Sequence, residues 1–232
     1  MKRILFILLL VALLVSAYFT FSKQGEVTEK ENVEKSKQIS AKQEVEAEEI
    51  IPVSQSDVTL FKGIAIDGTK ELMVKALKKQ GFKESSEDLS FLRTGFYGLE
   101  SGELLSGEFN GMQVIVSVIE NKGKVCGIGV VENLRRNEAQ IKRAFNDLVE
   151  QFNNHKNYKP YKENQKIDES EWIEYKMSVN NKEYRAIFYQ KGLDGQASEK
   201  RKVIVSLCKD GIDFRLLIYY ENGFNAADGS DL

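Results

Sequence analysis

The sequence predicts an α+β fold in which one helix followed by about four antiparallel strands occurs twice in succession. Two observations carry this. Two segments place apolar residues at helical spacing, and after each come runs of alternating apolar and polar residues. Those runs are separated by turn dipeptides such as Asn110-Gly111, Asn180-Asn181 and Asp210-Gly211, short enough to pair neighbouring strands. The folded part divides into a first helix-plus-sheet unit over 57–136 and a second over 137–232. Little residue identity links them.

Two stretches precede the folded part. Lys2 and Arg3 stand before an apolar run from Ile4 to Phe21, broken only by Ser16 and Thr20. This is the pattern of a signal peptide or membrane anchor over 1–22. Val15-Ser16-Ala17 offers a small-residue cleavage site after Ala17. Uncleaved, the run has about the length that spans a bilayer. The cations keep the N-terminus inside, so the expected location is periplasmic, or anchored in the inner membrane by this helix. No Cys follows the run to carry a lipid.

Residues 23–56 then alternate Glu and Lys with Gln and Ser. Their apolar residues Val27, Val33, Ile39 and Val45 recur every six positions, which turns each about 240° from the last on a helix. No stripe forms, and the segment reads as a charged, flexible linker.

The first folded element is the short apolar segment at Leu60 to Ile64. In the helix that follows, Leu72, Met73, Ala76 and Leu77 share a face, and Gly81-Phe82 supplies a glycine stop with an apolar partner. Strands are expected over 89–97, 104–109, 112–119 and 124–132, with a loop at Asn121-Lys122-Gly123. A second helix over 137–153 carries Ile141, Phe145, Leu148, Val149 and Phe152 on one stripe. Asn137 and Gln140 make a capping box at its start. After a loop through Pro160, strands are expected over 172–179, 182–190, 203–209 and 212–220.

A net charge of −2 and a pI near 5.7 give no drive toward nucleic acid. The Ile66-Asp67-Gly68-Thr69 turn has one glycine and an acid where a phosphate would sit, so Asp67 or Thr69 is expected to cap the helix. One His and two distant Cys make no metal site, and no cofactor is implied. His155 reads as a surface residue near a helix end. Cys126 and Cys208 lie on predicted strands of an exported chain, as a disulfide or as two buried thiols. The acids Asp168, Glu169, Glu171 and Glu174, and Glu100, Glu103 and Glu108, read as solvated loop faces.

A helix covers one face of an antiparallel sheet and leaves the other open. Alternation puts Ile212, Phe214, Leu216, Ile218 and Tyr220 on the core face. Arg215, Leu217 and Tyr219 then face the free side, and the same argument places Trp172 there. Aromatics with an arginine suit a protein-binding surface. The linker or the other unit is the competing cover for that face.

The segment Phe61-Lys62-Gly63-Ile64-Ala65-Ile66-Asp67-Gly68-Thr69, with the Gly81-Phe82 stop, resembles the domain start of exported Bacteroides-type proteins of unknown function. Those often carry Pro where this chain has Ala65. The resemblance covers mainly 58–131 and implies export and a domain boundary, but no catalytic residue. The doubled helix-plus-four-strand order also looks like the tandem β-lactamase-inhibitor-type architecture, which binds partners with a sheet surface. The expected function is therefore a non-enzymatic cell-envelope binding module, its partner a protein or the cell wall. Membrane contact is expected only through the N-terminal segment if it stays uncleaved. The alternative is a small envelope hydrolase with a carboxylate-lined groove around Glu171 and Glu174.

Overall fold

The computed structural model describes residues 58–87, 89 and 103–226. The apolar run, the linker and all of the strand expected over 89–97 except Leu89 lie outside the described residues. Among the described residues no helix is long and apolar enough to cross a membrane.

The chain enters through a small hairpin, β1 (Leu60–Phe61) and β2 (Ile64–Ala65). Lys62 and Gly63 both take positive φ in its turn. Thr69 then caps α1 (Lys70–Lys79), accepting from the Leu72 N–H. Asp67 is used elsewhere, accepting from the Asn225 side chain at 2.8 Å. Helix α1 buries Met73, Val74, Ala76 and Leu77, while the expected Leu72 is only half-buried. It stops in a Schellman motif: Phe82 N–H returns to the Leu77 carbonyl, Gly81 N–H returns to Lys78, and Gly81 takes a φ of +94°.

Eight strands form one antiparallel sheet. They are β3 (Lys83–Glu84), β4 (Leu104–Phe109), β5 (Met112–Asn121), β6 (Lys124–Glu132), β7 (Tyr158–Pro160), β8 (Arg185–Lys191), β9 (Ala197–Asp210) and β10 (Asp213–Asn222). Their order is β3-β4-β5-β6-β10-β9-β8-β7, so the first four run inward from one edge and the last four from the other. The halves meet where β6 pairs with β10, Leu217 opposite Val131. Asn110-Gly111 turns β4 into β5 as its residues predict, both at positive φ. Asn121 pairs with Lys124, so the next turn is the two residues Lys122-Gly123. Gly211-Ile212, shifted by one from expectation, turns β9 into β10. Ile212 is therefore 84% exposed and has no place on the core face.

Helix α2 (Glu138–Asn154) starts at Asn137 with both halves of the capping box formed. It buries Ile141, Phe145, Leu148, Val149 and Phe152 on the sheet, each contributing about 1.5–3 kcal/mol through burial. The strand expected over 172–179 is instead a short helix, α3 (Ile173–Val179). Ile173 and Met177, one turn apart, pack on the core, and the Glu138 carboxylate accepts from the Ile173 and Glu174 N–H groups. That tertiary cap supplies acceptors for donors a helix start leaves open. Asn181, at positive φ, belongs to the end of this helix and not to a hairpin.

Both sheet faces are apolar. Helices α1, α2 and α3 cover one of them, over a core that includes Phe61, Phe109, Phe145, Phe188 and Phe214. The second face carries Ile115, Ile119, Cys126, Val131, Cys208 and Leu217, with Leu89 packed against them. Ile115, Val131 and Leu217 are fully buried, which corrects the expectation of a free face there. The two cysteines are free buried thiols. Gly127 is level with Glu221 and, across β10, with Lys202, six positions from Cys208. Six residues of strand span about 20 Å, against the 7 Å or less a disulfide needs between Cα atoms.

Candidate functional site: a cleft along α2

Helix α2 and the turns of hairpins β1–β2 and β4–β5 enclose a cleft floored by β10. One part has a volume of about 470 Å³, with Arg136, Arg143 and Asp147 on its walls and Met112 and Leu216 below. The other, about 400 Å³, lies among Phe109, Phe152, Tyr158 and Tyr220, with Lys62 and His155 at its rim. Asn110, Leu148 and Gln151 line both parts, so they form one trough. Along α2 the wall runs from Gln140 through Ala144, Asp147 and Gln151 to His155. The helical period brings these residues to one side over about 22 Å.

A hydrogen-bonded group lies in the aromatic part. Gln190 of β8 is buried, donates to the Tyr158 hydroxyl at 3.1 Å, and is held from the other side by the Leu60 backbone. Leu60 N–H reaches its Oε1 at 2.7 Å, and its Nε2 reaches the Leu60 carbonyl at 3.2 Å. One amide thus ties the entry hairpin to the sheet and orients the tyrosine. Tyr158 and Tyr220 both line this part of the cleft. Burial raises the pKa of both, so both stay neutral hydroxyls at physiological pH. The half-buried Tyr158 borders the cleft, and its hydroxyl, which accepts from Gln190, has its own hydrogen to donate.

His155 closes α2 as its C-cap and sits edge-on to Tyr158, ring centroids 5.3 Å apart. Its Nδ1 accepts from the Asn157 N–H at 3.2 Å, which leaves Nε2 to carry the proton of the neutral ring. The Lys62 ammonium donates to the Glu108 carbonyl at 3.0 Å and lies over the Phe82 ring, 5.4 Å from its centroid. Among the described residues no acidic side chain lines the aromatic part. In the other part, Arg136 forks onto the buried Glu132 at 2.6 and 3.0 Å.

No family model matches this chain, and no curated protein or solved structure does either. The functional reading therefore rests on the site itself.

The residues expected to form a partner surface do not come together. Trp172 immediately precedes α3, on the helix-covered side, 61% exposed and stacked on Tyr175 with centroids 5.2 Å apart. Leu217 and Arg215 are buried, and Arg215 donates to Asp210 at 2.8 Å. Tyr219 is half-buried against the second-face cluster. The sheet separates Trp172 from the other three, because the 172–179 run is a helix and not a strand.

Glu171 lines neither part of this cleft. It accepts from Lys176 at 2.8 Å, from Lys182 and from the Tyr184 hydroxyl at 2.7 Å. These donors, Lys176 first, hold its pKa down to about 2. Glu174 pairs with Lys209 at 3.3 Å. Among the described residues no group of three or more His, Cys, Asp or Glu side chains is placed to hold a metal. The cleft residues Lys62, Tyr158 and Gln190 were missed because they come from distant segments. Only Asn110, in its hairpin turn, carried a local signal, and that signal reported the turn alone.

Proposed function

We propose that this chain is an exported, non-catalytic binding module of the cell envelope that takes its ligand in the cleft along α2. We read its architecture as two helix-plus-four-strand units sharing one sheet, held out from the membrane on the charged linker. The supporting observation is the Tyr158 hydroxyl, oriented by Gln190 and the Leu60 backbone beside a trough lined by aromatic and carboxamide side chains. Ligand pockets commonly combine apolar walls with a few fixed polar groups in this way. Catalysis by Glu171 is disfavoured, since an acid held down to about 2 is a poor proton donor or acceptor at neutral pH. The exposed Trp172–Tyr175 stack takes second place.

The test is to purify the full chain from its own envelope extract and identify small molecules retained on it by native mass spectrometry. A Gln151→Trp variant, which fills the trough from an exposed helix position, is expected to lose the retained ligand. Trp172→Ala is expected to keep it. Equal retention in wild type and Gln151→Trp, or no retained ligand at all, contradicts the reading.

A further inference from the structure

Helix α2 carries two rows of polar side chains, each at intervals of four residues, and one row is fully used. Glu138, Lys142, Asn146 and Glu150 hold the stretch 166–173 alongside the helix. Glu138 accepts from the Ile173 N–H at 2.8 Å, Lys142 donates to the Glu169 carbonyl at 2.9 Å, and Glu150 accepts from the Lys166 ammonium at 2.8 Å. Asn146 takes both backbone groups of one residue. Its Oδ1 accepts from the Ile167 N–H at 2.7 Å, and its Nδ2 donates to the Ile167 carbonyl at 2.9 Å. The Ile167 side chain, so held, is buried in the main core.

The second row, Arg143, Asp147, Gln151 and His155, lines the cleft on the other flank of α2, and all four are exposed. Arg143 reaches the Ala139 carbonyl of its own helix at 3.4 Å. Among the described residues Asp147 and Gln151 make no hydrogen bond or ion pair. Gln151 lines both parts of the cleft, with its donor and acceptor side by side. Three other carboxamides in this chain use that arrangement on the N–H and C=O of a single residue: Asn146 on Ile167, Gln165 on Ile187 at 2.7 and 3.0 Å, and Gln190 on Leu60. In each case the residue held is aliphatic.

We infer that the cleft takes a short peptide in extended form, with Gln151 holding the N–H and C=O of an aliphatic residue, and this rests on the reading of the cleft as the binding site. The side chain of that residue enters the aromatic part, against Leu148, Phe109 and Phe152, as the core receives Ile167. Arg143 and Asp147 carry opposite charges one turn apart, so the row imposes no net charge on the ligand. The wall of about 22 Å matches about six residues of extended chain. Such a peptide is either free or a segment of a longer chain.

The full chain in lipid nanodiscs, with empty nanodiscs as the control, is titrated calorimetrically with an N-acetylated, amidated hexapeptide of alternating serine and leucine. The same peptide, N-methylated at its leucines, lacks those backbone donors and keeps every side chain. The parent is expected to bind about tenfold more tightly than the methylated form. Gln151→Ala is expected to weaken the parent several-fold with little effect on the methylated form, and Gln151→Trp is expected to abolish binding of both. Glycine extensions at both ends distinguish the sources: unchanged affinity assigns a segment of a longer chain, and loss assigns a free peptide. Equal affinity for the two hexapeptides, or binding of cellotetraose in their place, overturns backbone recognition and keeps the cleft when Gln151→Trp abolishes that binding. No binding of the parent, with ligand retention lost in Gln151→Trp, likewise overturns the peptide and keeps the cleft. No binding of the parent, with retention unchanged in Gln151→Trp, overturns both.

Discussion

Tyr219 of β10 occupies the space where a side chain at Gly127 of β6 would stand. A Cβ built on Gly127 would lie 2.5 Å from the tyrosine hydroxyl and 2.8 Å from two ring carbons. Glycine at this strand position therefore lets an aromatic ring settle over the β6–β10 junction, where the two halves of the sheet meet. Gly127→Ala is expected to destabilise the fold by about 1–3 kcal/mol through overpacking. Urea unfolding of wild type and variant checks this, and an unchanged midpoint contradicts it.

Glu138 holds α3 in place from outside. Its carboxylate accepts from the Ile173 N–H at 2.8 Å and pairs with Lys142 at 3.3 Å. Glu138→Ala is expected to cost about 1–2 kcal/mol, the magnitude of a lost N-cap. It is also expected to loosen the Trp172–Tyr175 stack. Trp172 is the chain's single tryptophan, so its fluorescence reports this helix alone. An unshifted emission maximum in the variant contradicts the assignment.

Glu171 sets an acid-side limit on stability. Its pKa falls from 4.5 to about 2 on folding, because Lys176 and Lys182 donate to its ionised form. A depressed acid contributes stability that is fully present above about 4.5 and is lost as pH falls through about 2. Denaturation midpoints of wild type and Glu171→Gln are expected to differ most at neutral pH and to converge below pH 4.5. A constant difference across that window contradicts this role.

Cys126 and Cys208 are expected to remain thiols even in an oxidising compartment. Burial raises both pKa values, Cys208 to about 12, so neither is an effective nucleophile near neutral pH. The folded chain is expected to resist a thiol reagent and to release two reactive thiols in denaturant without any reductant. A mass two hydrogens lower, or no thiols on unfolding, contradicts the separation along β9.

Much of the frame was legible because its signals are local. Thr69, the Asn137–Gln140 capping box, the Gly81-Phe82 stop and Asn110-Gly111 each act within a few residues. The 172–179 run was misread because Ile173 and Met177, four apart, satisfy a strand's alternation and a helix's period alike. Glu138, 35 residues from Ile173, helps settle the choice. The cleft was illegible for a related reason. Lys62, His155, Tyr158, Gln190 and Tyr220 share no spacing, and it takes the pairing of β6 with β10 and the Leu60–Gln190 hydrogen bonds to bring the entry hairpin and the second half of the sheet to one trough. The second sheet face was expected to be open since its strands alternate, but alternation records which side a residue points to and not what lies on it.

Hydrogen–deuterium exchange on the full chain, with and without the small-molecule fraction of its own envelope extract, tests the cleft most directly. The expected result is slowed exchange at Phe109–Met112 and across the C-terminal turn of α2 to Tyr158, with no change over α3. Protection confined to Ile173–Val179, or to the second-face strands, would contradict the assignment of the binding site to this cleft.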